Sequence, residues 1–166
     1  MSKEAVTAYV ASGFGFTEAT RGFMRDVYIP ALKRLGIVPI NPWDLTSQEE
    51  IDSVFSIKNH KERLRALQEL NWKIGERNKE AIDTSQILIA NLDGQEVDSG
   101  VASEIGYAVG KGKTVFGWRG DIRKTGEEGA IVNLQVQYFI EYSGGKIATS
   151  LQELEDILRD YIAKPN

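Results

Sequence analysis

At 166 residues, with 42% hydrophobic and 27% charged side chains, the chain has the size and composition of one globular domain with a substantial core. A net charge of −4 argues against a broad nucleic-acid or anionic-membrane footprint, and no apolar run is long enough for a transmembrane helix. The absence of cysteine excludes disulfides, thiolate chemistry and Cys-type zinc sites, and a single histidine leaves little room for a His-based triad or metal centre. Residues 1–4 lack the apolar core of a signal peptide, so a cytoplasmic location is expected for a single domain spanning 1–166.

In chain order, Ala5-Val6-Thr7-Ala8-Tyr9-Val10 reads as a buried first strand. It enters Ala11-Ser12-Gly13-Phe14-Gly15-Phe16, a loop whose small residues let backbone approach a ligand. Thr17 signals the start of a helix that runs to about Leu35 and ends at Gly36. Pro30 predicts a kink in it, because proline removes a backbone hydrogen bond. Ile37-Val38-Pro39-Ile40 follows as a short strand at an edge or irregular position. Asn41-Pro42-Trp43-Asp44 is a turn, and Thr46-Ser47-Gln48-Glu49 opens a polar helical region.

A long helix is expected from about Lys58 to Ile82, with the stripe Leu64, Leu67, Asn71, Ile74, Asn78, Ile82 turned to the core. Two amides interrupt that face. Each needs a partner, either neighbouring backbone or, for Asn78 nearer the strand end, a ligand. Residues 86–91 then form an apolar run suited to a central parallel strand. The stretch 92–111 crosses a loop containing Gly and Asp into a short helix, closed by Gly110-Lys111-Gly112. Residues 113–118 read as a fourth strand, 119–129 as a charged, mobile and mainly solvated loop, and 136–140 as a late strand. Ser150 caps an amphipathic C-terminal helix reaching about Ile162. Strands alternating with helices predict an α/β parallel sheet covered on both faces. Its ligand would sit beyond the carboxyl ends of the strands, where the loops after Val10 and Ala90 meet.

Glu104 lies among Val101, Ile105 and Ala108 on the short helix. As a capping-box glutamate it would need a capping residue at position 101, which is valine. It reads either as a solvated glutamate favoured by the helix dipole or as a positioned carboxylate nucleophile. A nucleophile of this kind can trap the oxocarbenium-like centre of a sugar as a covalent intermediate. Tyr9, near the end of the first strand, is placed to orient it. Asp98, six residues earlier, reads as a turn or capping aspartate or as an acceptor for a hydroxyl. His60 is too far up the long helix to take part. No phosphate-cradling glycine motif follows a strand.

The combination Asp98-x-Gly100-x-x-x-Glu104-x-Gly106-Tyr107-Ala108, with Tyr9, Asn78 and Ile131-Val132-Asn133-Leu134, resembles the nucleoside 2-deoxyribosyltransferases over roughly residues 5–140. That resemblance implies a flavodoxin-like (Rossmann-like) open sheet of about five strands. It also implies transfer of 2-deoxyribose between nucleobases through a glutamyl-deoxyribosyl intermediate, with no metal or organic cofactor. Carried over by position, Glu104 is the nucleophile, Tyr9 orients it, and Asp98 holds a sugar hydroxyl. Asn133 would serve a neighbouring subunit's sugar site, which implies a homo-oligomer, and Phe14 and Phe16 would stack against the base. The implied partners are deoxynucleosides and free nucleobases.

The chain departs from the family at position 78, where asparagine replaces the usual aspartate. An amide hydrogen-bonds a purine edge but supplies no catalytic proton. Related N-glycosidases acting on 2-deoxynucleoside 5-monophosphates carry serine at the position of Asp98, where a carboxylate would repel phosphate. Free nucleosides are therefore the expected substrates. Hydrolysis of nucleotides, kept open by Ser99 and Ser103, and a non-catalytic nucleotide-binding module are the alternatives.

Overall fold

The computed structural model describes residues 5–164, so the expectation about a leader, which rests on residues 1–4, lies outside the described residues. Five strands form one all-parallel sheet in the order β2-β1-β3-β4-β5, the flavodoxin-like order. The elements run β1 (Val6–Ala11), α1 (Glu18–Phe23), α2 (Ile29–Arg34), β2 (Ile37–Ile40), α3 (Gln48–Phe55), α4 (His60–Thr84), β3 (Ile87–Asn91), α5 (Ser99–Gly110), β4 (Thr114–Trp118), α6 (Leu134–Tyr142), β5 (Ile147–Ala148) and α7 (Leu151–Ala163). Among the described residues no helix is long and apolar enough to cross a membrane.

The period-two alternation of the strands divides the core into two layers. Tyr9 and Ala11 of β1 share a layer with Leu88 and Ala90 of β3, under Ile82 of α4, Val101, Ile105 and Ala108 of α5, and Val136 and Ile140 of α6. Ala8, Val10, Ile87 and Ile89 point the other way, onto Met24, Tyr28 and Leu32 and onto Leu154 and Leu158 of α7. All five residues of β3 are buried, as expected for a strand covered on both faces. β1 lies between β2 and β3, so the chain leaves it toward one edge and later returns on its other side. The loops following β1 and β3 therefore diverge and leave a crevice at the carboxyl edge.

Two local readings are corrected and one is sharpened. Residues 136–140 are not a strand but lie within α6, and the fifth strand is the two-residue β5. Val-Gln-Tyr-Phe-Ile favours strand by residue type. However, Val136 and Ile140 stand one helical turn apart and are both buried, and Asn133 Oδ1 accepts the N–H groups of Gln135 and Val136 as the N-cap. The expected kink at Pro30 takes the form of a π-helical turn, Met24–Tyr28, joining α1 to α2. Proline cannot bond back to Asp26, and the Ile29 N–H instead reaches the Met24 carbonyl, widening the helix by one residue before the ring. Asn71 is exposed rather than core-facing, and Leu64 is 47% exposed.

Candidate active site

The site is organised by the start of α5. Asp98 is its N-cap, with Oδ1 accepting the Val101 N–H at 3.0 Å. Val101, Ile105 and Ala108 are buried against the sheet, and Glu104 lies at the margin of that face, half-buried. Because α5 begins at Ser99, Glu104 belongs to the second turn rather than the first. The macrodipole weakens within one turn, so another group must position the carboxylate.

That group is Tyr9. It is fully buried on β1, and its hydroxyl donates to Glu104 Oε1 at 2.6 Å. The bond joins the first strand to the helix after the third strand, across the crevice. Burial, then the neighbouring Glu104 charge, pushes the Tyr9 pKa far above the ordinary phenol value, so Tyr9 is a fixed donor. Burial raises the Glu104 pKa, the Tyr9 hydrogen bond pulls it back, and the Asp98 charge raises it again.

Above this pair opens a cavity of about 300 Å³. Asp98, Gly100, Val101 and Glu104 form its α5 wall, Ile74 and Asn78 its α4 wall, and Ser12, Phe16, Pro42 and Trp43 the remainder. Asn78 Oδ1 is buried with no hydrogen-bond partner among the described residues, a position that in a native interior implies an external donor. At Gly100 a Cβ would lie 3.0 Å from Asp98 Oδ1, so this glycine leaves room for the capping carboxylate. A second aspartate, Asp93, is engaged away from the cavity wall. It accepts from Asn91 Nδ2 and the Asp121 N–H beneath the buried Arg119, whose guanidinium donates to the carbonyls of Leu92, Gly94 and Arg123. Residues 119–123 of the charged loop are thereby pinned to the segment leading into α5.

The structure thus brings Tyr9, Phe16, Asn78, Asp98, Gly100 and Glu104 together, but not Phe14 or Asn133. Phe14 packs into the opposite core layer, edge-on to Phe23 and Trp118 with ring centres 5.9 Å apart in each pair. Asn133 lines a separate hollow with Glu96, Val97 and Thr125. His60 opens α4, about 27 Å of helix from Asn78 at ~1.5 Å per residue. Sequence reasoning missed Trp43. Its indole meets Phe16 edge-on at 4.7 Å and donates from Nε1 to the Ser12 carbonyl at 3.0 Å, closing one side of the cavity. An aromatic in the turn after β2 was the available signal.

A flavodoxin-like sheet with a tyrosine–carboxylate pair and a mostly apolar cavity at its switch point has the layout of a small-molecule site. The family model for nucleoside 2-deoxyribosyltransferase matches residues 8–143, and the chain belongs to that family. Members transfer or cleave glycosidic bonds. No curated protein matches the chain in sequence. Among solved structures, a conserved protein from Enterococcus faecalis V583 superposes with a TM-score of 0.67 at 22% identity, covering 94% of this chain and 98% of that one. A 2-deoxyribosyltransferase from Leishmania mexicana gives 0.63 at 19%, covering 95% and 97%. A Clostridium botulinum CMP N-glycosidase gives 0.55 at 16%, covering 93% and 99%. At these identities the superpositions establish the fold.

Proposed function

We propose that the protein is a single-domain nucleoside 2-deoxyribosyltransferase that moves 2-deoxyribose between nucleobases by way of a covalent ester on Glu104. The observation that carries this reading is the 2.6 Å bond from the buried Tyr9 hydroxyl to Glu104, made at the wall of a cavity of nucleoside scale. In the first half-reaction a Glu104 oxygen bonds to C1′ as the C1′–N bond breaks, and the electron pair leaves with the base. In the second, the nitrogen of an incoming base displaces the carboxylate. Tyr9 holds one carboxylate oxygen and leaves the other free to attack. Asp98 keeps Oδ1 on the helix cap, and its second oxygen is available to accept a sugar hydroxyl. Phe16 and Trp43 provide the apolar wall for the base, and Asn78 its edge contact.

Hydrolysis is the second reading, favoured by the likeness in fold to a CMP N-glycosidase. Against a nucleotide substrate stands the sign of Asp98, which would face a phosphate of like charge. Incubation with deoxyadenosine and a second free base distinguishes the two. Transfer yields a new nucleoside, whereas free deoxyribose alone at high acceptor concentration overturns the transferase reading.

Asn133 enters this scheme from a neighbouring subunit. On α6, the exposed Leu134, Tyr138 and Tyr142 make a helical stripe directly beyond it, which supports a homo-oligomer. A dissociated monomer that retains activity would rule out the shared site.

The base wall has its own test. At Gly15 a Cβ would lie 2.1 Å from the Trp43 ring, so Gly15→Ala forces the indole out of position. Losing an ordered aromatic wall is expected to raise KM roughly two- to tenfold, from about 0.5–1.5 kcal/mol of stacking, with a smaller change in kcat. An unchanged KM would remove Trp43 from base binding.

A further inference from the structure

We infer that this site releases its base without a proton from the protein, and so selects 2-deoxynucleosides whose bases depart readily as anions. The inference rests on the transferase reading above. Two observations carry it. The cavity wall holds two ionisable side chains, Asp98 and Glu104, both on α5. One caps the helix and the other attacks the sugar. The opposing α4 wall offers Ile74 and Asn78, and the loops offer Ser12, Phe16, Pro42 and Trp43, none of which is an acid near neutral pH. Beneath the cavity, the Tyr9 proton is committed to Glu104, and its raised pKa makes it a poor acid. Arg77, next to Asn78 in the chain, is engaged by Glu50 at 2.8 and 3.0 Å and, as a guanidinium, keeps its protons.

The second observation is the orphaned Asn78 Oδ1. A buried acceptor on the cavity wall takes an N–H from the base edge, and the amide nitrogen of the same side chain donates a hydrogen bond without giving up its proton. Asn78 therefore recognises the base and polarises it but does not neutralise it. In the step itself, the Glu104 oxygen forms its bond to C1′ while the glycosidic bond breaks. Its electron pair passes to the base nitrogen, the base leaves as an anion held at Asn78, and water supplies the proton afterwards.

The measurement is kcat/KM for deoxyuridine and its 5-fluoro and 5-bromo derivatives, and for deoxyadenosine and its 2-chloro derivative, on the wild type and Asn78→Asp. Halogens acidify the leaving nitrogen. Within whichever series is turned over, the wild-type rate rises steeply with base acidity. Asn78→Asp raises the poorest substrate by about 10²-fold, the lower end of what a positioned acid contributes, and flattens the dependence. The wild-type slope is read without any variant, so misfolding of Asn78→Asp leaves the inference testable. A shallow wild-type slope, or an Asn78→Asp slope as steep with no gain, overturns the inference and leaves the transferase reading intact. No turnover of any deoxynucleoside overturns both.

Discussion

Glu104→Gln is expected to lower kcat for base transfer by about 10⁴-fold or more, because deleting a nucleophile removes the covalent route outright. The variant is isosteric and still accepts the Tyr9 hydrogen bond, so it should remain folded. Mass spectrometry of the wild type incubated with a deoxynucleoside should find deoxyribose on the peptide carrying Glu104, and Glu104→Gln should carry none. Unchanged turnover in the variant would dismiss Glu104 as the nucleophile. Stability provides a separate check. The folded pKa of Glu104 is raised above its unfolded value, chiefly by burial. The fold therefore favours the protonated form. That advantage is complete below the unfolded pKa and is lost as pH rises through the higher folded value. Once ionised above that folded value, the carboxylate is a charge carried at a cost, and glutamine removes it. Thermal melts should place the variant at or above the wild type at neutral pH, with the difference vanishing in acid. A lower melting temperature at neutral pH would mean that the carboxylate is structural.

Tyr9→Phe is the second large effect. The hydroxyl donates to a partly buried carboxylate, and hydrogen bonds to charged groups contribute about 1.5–3 kcal/mol, so the plateau rate should fall roughly 10–10²-fold. Direction in pH separates orientation from mere packing. Of the influences on the Glu104 pKa, the Tyr9 bond is the one that lowers it; burial and Asp98 both raise it. Removing the bond therefore moves the acid limb of kcat/KM to higher pH. A reduced rate with an unmoved acid limb would leave Tyr9 with no electrostatic role.

The elements nearest the chemistry were legible because their signals are local. Apolar continuity marked β1, β3 and β4, and the Asp-Ser-Gly sequence before an apolar helical face marked α5. Glu104 was conspicuous as the charge on that face. The failures come from context. Residues 136–140 have the composition of a strand, and only the sheet's actual fifth member, two residues long, shows that this run was free to be a helix. The stripe on α4 was read as buried throughout, but α4 spans 25 residues, roughly 37 Å at about 1.5 Å each, whereas β3 has five residues and reaches about 17 Å. Leu70, one position before Asn71, is buried, so the covered face is rotated from the expected stripe, and Asn71 meets solvent while Asn78 meets the cavity. Phe14 and Phe16 share one loop and one residue type, yet the short 3₁₀ turn Gly13–Phe16 sends Phe14 into the core and leaves Phe16 exposed at the cavity. Trp43 reaches the site through tertiary packing on Gly15, which local sequence does not report.

The capping geometry of Asp98 has an evolutionary reach. Position 98 must begin α5, and the residues that do this well are Asp, Asn, Ser and Thr. Within that set the side chain ranges from anionic to neutral while the helix start, and with it the placement of Glu104, is preserved. On the proposed transferase reading, one codon can therefore retune the charge beside the sugar and leave the placement of Glu104 untouched. Selection for nucleosides or for nucleotides can act here without first rebuilding the fold.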